Sequence, residues 1–176
     1  MSVMNKPIFA AFLAMLLASP ANAQADLSAF ETGPVFDDFG PHAPVEMTRP
    51  LAQFERFAIA FDVARKAEDG TRNRGFESAA RFLNMHVGAG VLEDRIELAV
   101  VVHGSAVHDL VAREGNGSAE MVRAMIDAGV RFIVCGQSAA AHGVTNDALI
   151  EGVEMDLSAM TAHALLQQQG YTLNPF

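Results

Sequence analysis

Apolar and polar residues follow two periods along this chain, and the switches between them mark its elements. Phe57-Ala58-Ile59-Ala60-Phe61 is a short run, apolar throughout, that ends at Asp62. Such a run predicts a strand covered on both faces. Ile96 to Val102, Arg131 to Cys135 and Val153 to Leu157 predict three more strands, and Tyr171 to Leu173 a short fifth. Phe76, Ala79, Ala80, Leu83 and Val87 recur at the spacing of one helix face, and Gly88 and Gly90 close it. Met121, Val122, Met125 and Ile126 form a second face, with Ser118 as N-cap and Gly129 as stop. Ser158 caps a final helix that runs through Gln169. Shorter helical pieces are expected over 106–113, 138–142 and 145–150. Strands alternating with helices of this size predict an α/β fold, with a parallel sheet of about five strands and helices on both faces. Ligands of such sheets gather beyond the carboxyl ends of the strands. Those ends are Asp62, His103-Gly104, Cys135-Gly136-Gln137 and Asp156-Leu157-Ser158.

The N-terminal third does not follow this pattern. Lys6, the apolar run Ile8 to Ala18 and the small-residue triplet Ala21-Asn22-Ala23 have the order of a secretory signal peptide over 1–23. The run is too short to span a bilayer comfortably. The mature chain is expected to start near Gln24, in the periplasm or outside the cell, with no membrane segment after cleavage. Residues 24–55 hold Gly33-Pro34, Gly40-Pro41, Pro44 and Pro50, which break any period and predict an extended arm over the domain of 56–176. The formal net charge is −9, and Lys66 is the only lysine after the signal. This balance argues against nucleic acid, whose phosphates need clustered Lys and Arg.

The single cysteine, Cys135, cannot form an internal disulfide. In an oxidising compartment it is a buried small residue, a link to another chain, or a working thiol. It ends a strand and precedes Gly136, where the chain can turn tightly. A helical turn opening at Ser138 would aim free N–H groups at the sulfur and favour the thiolate. His103 ends the neighbouring strand, where an imidazole can take the thiol proton or simply bond a loop carbonyl. Gly104, Gln137 and Ser138 adjoin these two residues, and His142 is a candidate for the rim of the same site. His108 is expected at the surface. Asn84 projects away from Phe76 and Leu83 on its helix, as a ligand contact, a cap or a solvent-facing amide. Asp62 is read equally as a site acid or a loop-fixing one. No metal site or cofactor is expected, since Cys-x-x-Cys, His-Glu-x-x-His, P-loop and dinucleotide patterns are all missing. The six methionines after the signal are read as packing.

Taken together these residues resemble the DsrE/DsrF-like family, in a branch that carries a signal peptide. The resemblance runs from Thr32 to Phe176 and rests on Thr32-Gly33-Pro34-Val35, Phe61-Asp62-Val63 and Ala80-Arg81-Phe82-Leu83-Asn84. It continues through Ala99-Val100-Val101-Val102-His103-Gly104, Val134-Cys135-Gly136-Gln137-Ser138 and Leu157-Ser158-Ala159-Met160-Thr161-Ala162. It implies a flavodoxin-like three-layer α/β/α domain that assembles as a homotrimer or homohexamer. It also implies that Cys135 accepts sulfane sulfur as a persulfide and exchanges it with a donor or acceptor protein, as a sulfurtransferase-like carrier. Relatives often carry Arg near the position of His142. The alternative reading is a non-catalytic oligomeric module that binds a small ligand or a soft metal.

Overall fold

Five parallel strands in the order β4-β3-β2-β1-β5 form the centre of the protein. A computed structural model describes residues 26–174, so the expected signal peptide and its cleavage site lie outside the described residues. The strands are β1 (Phe57–Val63), β2 (Ile96–Val102), β3 (Arg131–Cys135), β4 (Glu154–Asp156) and β5 (Thr172–Asn174). The helices are α1 (Arg74–Gly88), α2 (Ala119–Asp127), α3 (Gly136–Ala141) and α4 (Ala159–Gln168). The α/β expectation is met. The piece expected over 106–113 is instead a 3-10 segment at Gly104–Leu110, and β1 runs on through Val63, so Asp62 lies within the strand.

Strand alternation divides the core into two. Leu98, Val100, Val102, Phe132 and Val134 face α1 and α2 and join the larger apolar cluster. Ala99, Val101, Ile133 and Ala60 point the other way, against Ala162 and Leu166 of α4. Parallel strands buried on both faces have no polar face to show, which is why these runs are continuously apolar. Phe76 of α1 meets Phe132 edge-on at 5.2 Å between centroids, and both are fully buried. Among the methionines, Met121 and Met125 are core residues, but Met85 and Met160 are 38% and 81% exposed and do not pack as expected. Among the described residues no helix is long and apolar enough to cross a membrane.

α1 starts where Asn73 caps it, its side chain accepting the Gly75 N–H. Buried Ser118 does not cap α2; its Oγ accepts the Asn73 N–H from 2.8 Å instead. Buried Asp109 accepts from Ala67 N and Asn73 Nδ2 at 2.8 and 2.7 Å. These bonds tie the β1–α1 loop to the segment between β2 and α2.

Asn84 overturns its expected role. It is fully buried on α1, and its amide is spent on the segment that precedes the sheet. Its Oδ1 accepts from Val35 N and Phe36 N, and its Nδ2 lies 3.0–3.1 Å from the carbonyls of Phe36, Phe39 and Gly40. Phe36 and Phe39 stack at 4.8 Å and are buried. A Cβ on Gly40 would stand 2.7 Å from the Arg81 backbone nitrogen, so only glycine lets the arm lie this close to α1. Replacing Asn84 by Ala leaves several buried backbone groups without partners, each worth about 1–3 kcal/mol. Asn84→Ala is expected to lower stability by about 2–4 kcal/mol and to expose residues 31–55 to protease. Urea unfolding with limited proteolysis checks this; an unchanged midpoint and cleavage pattern would contradict the anchoring role.

Candidate functional site

Sheet register assembles the site. Val102 pairs with Val134, so the next residues along, His103 and Cys135, stand side by side. Val101 and Ile133 face α4, and alternation puts His103 and Cys135, two residues further on, on that same face. Asp62 shares it, two residues after Ala60. The carboxyl ends of β1, β2 and β3 therefore present Asp62, His103 and Cys135 in a row beneath α4.

The Cys135 thiol occupies the N-cap position of α3, where its sulfur accepts the Ser138 N–H at 3.4 Å. Burial pushes the thiol up, but the Ser138 hydroxyl and the amides of Ser138, Ala159 and Gln137 outweigh it and hold the pKa below its ordinary value. Ala159 opens α4, so donors from the starts of two helices meet at one sulfur. Gly136 is needed here, because a Cβ would stand 2.7 Å from the Asp156 carbonyl oxygen. Ser138 also accepts the Gly104 N–H at 3.0 Å, which ties the end of β2 to the hydroxyl beside the sulfur. Gly104 has φ 53°, and a Cβ there would meet the Ala64 carbonyl at 2.8 Å. Cys135 is 6% exposed, and the Ala159 amide reaches its sulfur from the turn between β4 and α4. Gln137 spends its side chain on the turn between β4 and α4, donating from Nε2 to Leu157 O at 3.3 Å. It serves the thiol through its backbone.

Two strands across from the thiol, on β1, Asp62 joins two imidazoles. Its Oδ2 lies 3.0 Å from His103 Nε2 and its Oδ1 2.8 Å from His163 Nε2. Partial burial raises its pKa, yet the bonds and charges of the two histidines carry it below the ordinary carboxylate value. An ionised carboxylate can only accept, so both rings present Nε2–H to it and keep Nδ1 as their basic nitrogen. His163 Nδ1 is buried with no partner among the described residues. His163 went unnoticed in the sequence because it sits on a helix 60 residues beyond His103. The only available signal was its i+4 spacing from Ala159, which puts both on one face of α4.

His142 is not at this site. It caps the far end of α3, seven residues and about 10 Å along the helix axis from the thiol. Its exposed ring packs edge-on against half-buried His108, at 5.0 Å between centroids. Asn84 is likewise absent from the row. Next to Asp62, on the other side, a cleft of about 820 Å³ is lined by Arg65, Lys66, Arg72 and Arg74, with Glu68 as a second carboxylate.

This chain belongs to the DsrE/DsrF-like family, whose model matches residues 56–175. It is similar in fold to MTH1491 from Methanobacterium thermoautotrophicum, a protein of unknown function, with 22% identity and a TM-score of 0.49. That match covers 67% of this chain and 97% of the other. The ychN protein of E. coli matches with 17% identity over 67% of this chain and all of its own, at a TM-score of 0.43. No curated protein matches the chain.

Alkylation of the native protein by iodoacetamide across pH is expected to give an apparent pKa below the free thiol value of about 8.5. Ser138→Ala removes one of the sulfur's donors and should raise that value; equal profiles in the two proteins would rule out the amide-and-hydroxyl cradle. The depressed Asp62 carboxyl adds stability above its unfolded value of about 3.9 that fades as pH falls through the acid range. The gain is small because Asp62 is 41% exposed. Asp62→Asn should flatten this part of the acid limb, read from urea midpoints between neutral and acid pH.

Proposed function

We propose that this protein accepts sulfane sulfur on Cys135 as a persulfide and passes it on. What carries the reading is the juxtaposition of a thiol cradled by amide donors with the Asp62–His103 pair on the adjacent strands. A thiolate is the nucleophile in sulfur exchange. It attacks a sulfane sulfur of the donor; a new S–S bond forms on Cys135, the donor S–S bond breaks, and the leaving sulfur departs with the electron pair. His103, oriented by Asp62, takes the thiol proton through its free nitrogen and returns it to the leaving sulfur. The persulfide anion that results is stabilised by the same donors that favour the thiolate. Membership of the DsrE/DsrF-like family supports the reading.

Two features bear on the donor. In the cleft beside Asp62, Arg65, Lys66, Arg72 and Arg74 outnumber Asp62 and Glu68, with Lys66 paired to Asp69 at 2.6 Å, in a protein whose formal net charge is −9. That local reversal favours an anionic donor such as a polysulfide. Cys135 is largely buried, and the turn that brings the Ala159 amide to its sulfur carries Leu157 and Met160 at 71% and 81% exposure, an apolar surface beside the thiol. An exported location, a homotrimeric or homohexameric state and a protein that receives the sulfur belong to this reading as well.

Incubation with inorganic polysulfide followed by intact mass measurement is expected to add one sulfur to the native protein and none to Cys135→Ser. Failure of the native protein to gain sulfur under these conditions would overturn the proposal. His103→Gln should slow the addition on the order of 10²-fold, the usual worth of a positioned proton carrier. The rate should also fall with added salt, as attraction between a cationic cleft and an anion is screened.

A further inference from the structure

A second cavity lies away from the thiol, between the N-terminal arm and the last turns of α1. It measures about 760 Å³, within the range of small-molecule sites, about 300–1,000 Å³. Its walls are mostly apolar, from Pro34, Pro44, Val45, Met47, Leu51 and Met85. Val45 and Met85 are 72% and 38% exposed, large apolar side chains left uncovered where most of their kind are in the core. The hollow is not a product of a loose arm. Asn84 fixes the neighbouring stretch 35–40 of the arm through bonds to five backbone groups, and an antiparallel bridge joins Glu31 to His42, two residues of the cavity wall.

The polar equipment of the hollow is one-sided. Glu31 and Asp37 are its charged residues apart from histidine, and no Lys or Arg lines it. Its two imidazoles are buried to different degrees. His86 gives its Nδ1–H to the Phe82 carbonyl at 2.7 Å, and burial holds its pKa below the ordinary value, so it is neutral at neutral pH. His42 is 8% exposed, and its Nδ1 has no partner among the described residues. A Cβ on Gly88 would stand 3.0 Å from His42 Nε2, so glycine at that position is what leaves the ring its place in the wall. Among the described residues, no group of three or more His, Cys, Asp or Glu side chains is arranged to hold a metal ion. An apolar chamber with two carboxylates and no cation suits a ligand with an apolar body and one positive charge.

We propose that the hollow between the arm and α1 binds an organic cation with an apolar body, such as an aryl or alkyl amine. The apolar body sits against Met47, Leu51 and Met85, and the ammonium group faces Glu31 and Asp37. This site is separate from Cys135 and stands whether or not the thiol carries sulfur.

A matched series with one aromatic body separates the contributions: 1-naphthylmethylamine, 1-naphthalenemethanol and 1-naphthoate, titrated into the native protein by calorimetry. The amine is expected to bind saturably, the alcohol more weakly and the carboxylate not at all. Removing both charges in Glu31→Gln/Asp37→Asn should bring the amine down to the affinity of the alcohol, about twofold to fivefold for each exposed carboxylate. Met85→Trp, which fills the chamber from an already exposed position, should abolish binding of the amine while the thermal unfolding midpoint stays near native. No saturable binding of the amine overturns the proposal. So does equal binding of amine and alcohol, or amine binding that survives Met85→Trp.

Discussion

The parallel pairing of β1, β2 and β3 is the constraint on which the rest depends. Register sets His103 beside Cys135, and alternation turns both, with Asp62, toward α4. A slip of one residue in β3 would send Cys135 to the opposite face, among α1 and α2. That register is in turn held by the apolar runs on either side of the sheet, since a slip would exchange Phe132 and Val134 for Ile133 between two differently shaped cores. The chemistry at the rim therefore rests on hydrophobic packing several residues below it.

At the rim the balance is between burial and hydrogen bonding. A thiolate taken out of water is disfavoured, and the sulfur here is well covered. Four donors from two helix starts offset this, and none comes from a charged group. Ser138 has two tasks, donating to the sulfur and accepting from Gly104, so the hydroxyl has one orientation that satisfies both. Gly136 permits the close approach of the β4–α4 turn that brings the Ala159 amide within reach. Asp62 plays a comparable part for the imidazoles: one carboxylate sets the tautomer of both His103 and His163.

The N-terminal arm follows a different logic. It has little regular structure, and its order comes from one buried amide, two stacked phenylalanines and a glycine pressed on a helix backbone. A polar anchor of this kind fixes position closely because its five bonds fail together. The arm thereby builds a wall where the α/β domain has none, and the cavity it encloses lies far along α1 from the strand ends, where parallel sheets usually bind ligands.

Much of this was legible in the chain. Continuous apolar runs of four or five residues between helical periods, Phe57 to Phe61, Leu98 to Val102 and Phe132 to Cys135, point to parallel strands buried on both faces. The strand-end thiol before a glycine was legible too, as was its neighbour His103, since both follow from where the runs stop. Three things were decided only by tertiary structure. Asn84 reads as a polar residue off the apolar stripe, and only the folded arm shows that its partners are backbone groups more than 40 residues earlier. His142 is close to Cys135 in sequence but is carried away by the helix between them, while His163 is distant in sequence and is brought in by α4. Local pattern encodes which residues are buried and where elements end, because those depend on near neighbours. Which side chains meet across elements depends on strand order and helix placement, and those are settled by the packing of the whole chain.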